Sequence, residues 1–144
     1  MMEAIALYRA RFKPSAQLAA PYIMLGFNVF AADSDEEGEL LATSLMQAFV
    51  ALRSGAPGKL KPPLPGYADT LPLEFRAMLK AVLGSSAIGS PSTVKAATKA
   101  FVARTGADEL MVTSQIFDHD SRIRSYELLA GVFGHAASAA AVAA

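Results

Sequence analysis

The sequence has no cysteine, which removes disulfides, thiolate metal sites and cysteine nucleophiles on chemical grounds and fits a cytoplasmic chain. Nor is there a surplus of either charge: 13 Lys and Arg stand against 13 Asp and Glu. The basic residues are scattered singly, so nucleic acid is not expected as a partner, because phosphate binding relies on clustered Lys and Arg. No window supplies the ~20 apolar residues of a membrane span. Met1 to Phe12 carries Glu3, Arg9 and Arg11 in a helical pattern, which does not fit a signal peptide. A small molecule or another protein is therefore the expected partner.

What is present is apolar. Hydrophobic residues make up 53% of 144 residues, enough for one domain with a core, yet a complete (β/α)8 barrel takes roughly 250. The pattern predicts a helix from about Glu3 to Phe12, stopped by Pro14. The run Tyr22 to Ala31 is almost continuously apolar and reads as a parallel strand covered on both faces. Asp33/Glu36 or Ser34/Glu37 can form a capping box, and a helix carrying Leu41, Leu45, Phe49 and Leu52 should end near Ser54-Gly55. Residues 56–72 hold five prolines and two glycines and read as a loop or lid.

Further helices are predicted over Leu73 to Leu83, from Ser90-Pro91 to Gly106, and from Asp120 or Ser121 onward. Short strands fall at Ala87-Ile88 and Leu110 to Thr113. Strands alternating with helices at this spacing imply an α/β fold with a parallel sheet. Met24, Met46, Met78 and Met111 lie on apolar faces and are expected in the core. Residues 136–144 form an Ala-rich tail after a domain over 1–135.

Several motifs stand in a telling order: Tyr8 to Ser15, Pro21 to Gly26, Ala31 to Glu37, Gly89-Ser90-Pro91-Ser92-Thr93-Val94, Thr105 to Ser114, then Asp118-His119, Arg122 and Arg124 to Leu129. Together they resemble the C-terminal portion of luciferase-like flavin-dependent monooxygenases and oxidoreductases. The resemblance implies a partial (β/α)8 TIM barrel, about its last three βα units, with the Pro-rich segment as an insertion. It implies reduced FMN and O2 as co-reactants for oxidation of a small organic substrate, and a chain incomplete by itself; no metal is expected, because the place of the acids of Asp33 to Glu39 at a helix start accounts for them electrostatically.

Active-site groups of barrels sit at the C-terminal ends of strands, which selects the candidates. His119, flanked by Asp118 and Asp120, is the candidate catalytic residue, an imidazole able to move a proton. Gly89 and Ser90, at a helix N-terminus, are the cofactor-binding candidates, for a phosphate or carboxylate. Ser114 and Gln115 are the substrate-binding candidates. An ordinary cap at Ser90 and a capping role for the 118–120 segment stand beside these readings. Arg122 and Arg124 are expected to pair with Glu127 along the last helix. His135 is a weaker candidate.

Two alternatives remain open at this level: a non-catalytic oligomerisation or interaction module derived from the family, and a deazaflavin-dependent oxidoreductase. Unpaired parallel edges template association, so either a homo-oligomer or the missing barrel portion is expected as partner.

Overall fold

A computed structural model describes residues 1–134; the Ala-rich tail and His135 lie outside the described residues. In chain order the elements are α1 (Met2–Arg11), β1 (Met24–Ala31), α2 (Asp35–Arg53), a 3-10 turn (Tyr67–Thr70), α3 (Leu73–Val82), a second 3-10 turn (Leu83–Ser85), β2 (Ser86–Gly89), α4 (Pro91–Thr105), β3 (Glu109–Thr113) and α5 (His119–Val132). Local chemistry accounts for most of these boundaries. Ser34 accepts the N–H of Glu37 at the start of α2, while the Glu37 carboxylate accepts the N–H of Asp33, one residue earlier than a reciprocal capping box requires. Ser90 caps α4 with Pro91 at its first position, and Gly106 ends it in the left-handed region. The last helix starts earlier than the sequence suggests, because Asp118 accepts both the N–H and the hydroxyl of Ser121 at 2.8 Å.

All three strands are parallel, in the order β2-β1-β3. Consecutive staves of a cylinder would place β2 between its neighbours in sequence; instead β1 is central. The cause lies in the strands themselves. β1 is eight residues long and the most apolar, whereas β2 has four residues and pairs only with Asn28 to Ala31. β3 lies along Met24 to Asn28 on the opposite edge.

The core divides by strand parity, since alternate side chains point to opposite faces. Phe27, Val29 and Ala31, with Ala87, pack under Val94 and Phe101 of α4 and Leu128 and Leu129 of α5. Phe27 and Phe101 meet with ring centroids 4.6 Å apart. On the other face, Phe30 and Ile88 pack against Leu41, Ala42 and Leu45 of α2, together with Ala32 and Ile116. Burying side chains of this size contributes about 1.5–3 kcal/mol each. Gly38 lets α2 approach: a Cβ there would stand 2.5 Å from the Gly89 nitrogen and 2.9 Å from the Phe30 carbonyl oxygen.

The second face closes only at its C-terminal end. Met24, Gly26, Glu109, Met111 and Thr113 are exposed and Asn28 is half-buried. This corrects two expectations: β1 is not covered on both faces throughout, and Met24 and Met111, 49% and 57% exposed, are not core residues. Met46 packs beside the α2 cluster as expected, and Met78 is half-buried.

Candidate active site

The C-terminal ends of the strands gather most of the predicted groups. Ala32 and Asp33 follow β1, Gly89 and Ser90 follow β2, and Ser114 to Asp118 follow β3. Arg124 of α5 reaches Asp33 at 2.9 Å and lies 3.9 Å from Glu127, so the helix-surface pairing extends across the strand ends. A small cavity of about 210 Å³ lies here, lined by Ala32, Asp33, Glu37, Asp120, Ser121 and Arg124.

Gly89 and Ser90 sit where the sequence places them, at the start of α4, but the chain supplies its own anion. The Ser90 N–H donates to the Asp35 carboxylate at 2.6 Å. That bond, with further ones from Thr93 and Ser90 side chains, holds the Asp35 carboxyl below its usual range. Gly89 has φ +129°, and a side chain there would run into the same carboxylate. The Ser90 hydroxyl accepts the Thr93 N–H at 3.5 Å, an ordinary cap.

Asp118 and His119 do not form a carboxylate–imidazole pair through the atoms that carry the cap. Asp118 is held low by the backbone N–H and then the hydroxyl of Ser121, and the exposed His119 ring nitrogen Nδ1 stands 2.7 Å from the Arg122 guanidinium. Ser114 is buried. Its N–H donates to the Tyr126 hydroxyl at 2.9 Å, and its own hydroxyl lies 3.4 Å from that of Ser125, which accepts the Ala31 N–H at 3.0 Å. Ser114 thus belongs to a latch fastening α5 to β1 and β3. Gln115 beside it is exposed.

Two further cavities flank the sheet. One of about 640 Å³ lies between α2 and the Pro-rich segment, with Glu36, Glu39, Met46, Tyr67 and Asp69 among its walls. That segment is strapped to α2 by the Leu64 N–H on Thr43 at 2.9 Å and by Gln47 on the Pro62 carbonyl at 2.8 Å. The other, about 610 Å³ and mostly apolar, lies between α4, α5 and β3. Among the described residues no three His, Asp or Glu side chains converge as a metal site, and no helix is long and apolar enough to cross a membrane.

One pair escaped the sequence reading. Thr113 Oγ1 donates to Asn28 Oδ1 at 2.8 Å on the open face. The signal was available: Asn28 is the lone amide in the otherwise apolar run from Tyr22 to Ala31, where a polar side chain needs a partner or a purpose.

Parallel strands, covering helices and polar groups at the strand ends define an α/β protein built from βα units. By sequence the chain is a homologue of the luciferase-like monooxygenases and corresponds to a C-terminal portion of them. It is 41% identical over 128 residues to a luciferase-like monooxygenase of Escherichia coli, covering 89% of this chain and 38% of that protein. It is 42% identical over 130 residues to the uncharacterized protein YvbT of Bacillus subtilis, covering 90% of this chain and 39% of the relative. The crystal structure of apo-MsnO8 superposes with a TM-score of 0.70 at 28% identity, covering 92% of this chain and 41% of that one. No protein-family model matches the chain. The chain thus spans about two-fifths of the length of the relatives it matches.

Proposed function

We propose that this chain is the C-terminal part of a flavin-dependent monooxygenase that oxidises a small organic substrate with reduced FMN and O2, and that further βα units complete its barrel. The carrying observation is homology over nine-tenths of the chain to luciferase-like monooxygenases that are more than twice as long. The free edges support it. β2 leaves the Met24 to Phe27 side of β1 unpaired, and β3 has an outer edge, so incoming strands have backbone groups to meet. On this reading β1 and β3 are adjacent staves, β2 is an accessory strand, α4 and α5 lie outside, and the open face looks inward.

When bound, the flavin supplies the redox chemistry; the chain supplies walls and polar groups. The start of α4 does not fit the flavin phosphate, because the Asp35 carboxylate already accepts the Ser90 N–H and would repel a second anion. That phosphate is held by the remaining units. Ser114 positions α5, while exposed Gln115 and His119 meet the substrate at the strand ends, with Arg122 holding the His119 ring. The same open edges make the isolated chain associate with a second copy or with the completing portion.

The test mixes the purified chain with the upstream portion of the Escherichia coli relative. Fluorescence quenching should report micromolar FMN binding by the mixture, and flavin-driven O2 consumption should follow. Failure of the mixture to bind FMN, with oligomers of the chain alone in light scattering, would favour an interaction module.

A further inference from the structure

We infer that Arg122 is a positioning residue that fixes the neutral His119 ring as its Nε2–H tautomer, so that α5 offers the substrate a hydrogen-bond donor there and no base; this rests on the reading above for what the ring meets. Valence decides the direction of the bond. His119 Nδ1 stands 2.7 Å from an Arg122 guanidinium nitrogen. A guanidinium carries N–H donors and no acceptor, so the guanidinium donates and Nδ1 contributes its lone pair. The proton of the neutral imidazole must then sit on Nε2. With Nδ1 engaged and Nε2 protonated, the ring keeps no free lone pair, and it meets a ligand only through an N–H. A carbonyl or carboxylate oxygen is the matching acceptor.

The surroundings hold the pair in place. His119 is the first residue of α5, and Arg122 lies three positions on, one helical turn away on the same face. Both are placed by the cap at that end, in which Asp118 accepts the N–H and the hydroxyl of Ser121, each at 2.8 Å. The same cap takes away the competing acceptor. Asp118 Oδ1 is engaged with Ser121, and among the described residues no carboxylate accepts a bond from the ring. A carboxylate partner would have drawn the proton to Nδ1, the arrangement in which an imidazole acts as a base through Nε2. Arg122 is half-buried while His119 is exposed, so the anchored side chain orients the free one. Arg124 is engaged elsewhere, with Asp33 at 2.9 Å. Both members of the pair stand in one turn of a single helix, so the bond does not depend on further barrel units.

The test reads the ring nitrogens directly, by nitrogen NMR of the full chain at alkaline pH, where an imidazole is neutral. The chain has two histidines, and His135→Gln removes the signals of the other. His119 should show an acceptor-type shift at Nδ1 and a protonated Nε2. Arg122→Glu replaces a donor by a group that only accepts and should reverse the pattern, moving the proton to Nδ1. Arg122→Ala should give intermediate shifts, the average of two exchanging tautomers. Circular dichroism should be unchanged in both variants, since Asp118 still caps α5. A parent spectrum with Nδ1 protonated, or intermediate shifts that Arg122→Ala leaves unaltered, would overturn the inference. The measurement needs no flavin, so its failure leaves the flavin reading standing, whereas absence of FMN binding by the mixture removes that reading alone.

Discussion

The two faces of β1 are made from neighbouring residues yet serve different ends. Phe27, Val29 and Ala31 are sealed beneath α4 and α5, whereas of Met24, Gly26, Asn28 and Phe30 only Phe30 is buried, under α2 and Ile116. Both faces carry apolar side chains, so hydrophobicity alone does not separate them. What separates them is where the covering elements lie: α2 packs only on the C-terminal end of its face, against Phe30 and Ile88, while α4 and α5 cover Phe27, Val29 and Ala31. One face is sealed along its length, and the other is sealed only at its C-terminal end.

Substitutions should divide along that line. Phe30→Ala, which empties a fully buried site, should cost about 3–5 kcal/mol in chemical denaturation. Gly38→Ala should cost about 1–3 kcal/mol, because its methyl group would meet backbone atoms of Gly89 and Phe30 that cannot yield without moving α2. Ser125→Ala removes the acceptor for the buried Ala31 N–H and should cost about 1–2 kcal/mol. Met111→Ser, on the open face, should stay within about 0.5 kcal/mol of the parent. A large loss from Met111→Ser in a monomer would break the comparison.

The acid response sharpens it further. Asp35 and Asp118 are both held below their ordinary range by N–H donors. Their folded-state bonds therefore stabilise the protein above the unfolded carboxylate range, near pH 4, and that stabilisation fades as pH falls through the lower folded values. Asp35→Asn should flatten the decline of Tm on the acid side. Because both groups are solvent-exposed, the effect is smaller than any core substitution.

How much was legible follows from distance along the chain. The cap at Ser90, the stop at Gly106 and the breaks made by the prolines depend on residues within one turn, so the sequence pattern located them, and it narrowed the cap of α2 to Asp33 or Ser34. The start of α5 was misplaced because Asp118 and Asp120 are equally good caps on paper; only the geometry at Ser121 decides between them. Contacts across the chain were hidden. The Asp35 to Ser90 bond spans 55 residues and the Ala31 to Ser125 bond spans 94, and neither leaves a local trace. The strand order was hidden for the same reason, since a pattern of alternating strands and helices fixes parallel pairing but not which strand takes the centre. The methionines misled because an apolar side chain on a strand announces a face, not what covers it.

The central position of β1 is the claim on which the rest stands, and a cysteine-free sequence makes it directly testable. Gly26 and Met111 are register partners on the exposed face, within the spacing a disulfide accepts. The chain carrying Gly26→Cys and Met111→Cys should form an intramolecular disulfide under mild oxidation, while Ile88→Cys with Met111→Cys should not. Ready closure of the second pair and failure of the first would place β2 between β1 and β3 and contradict the account.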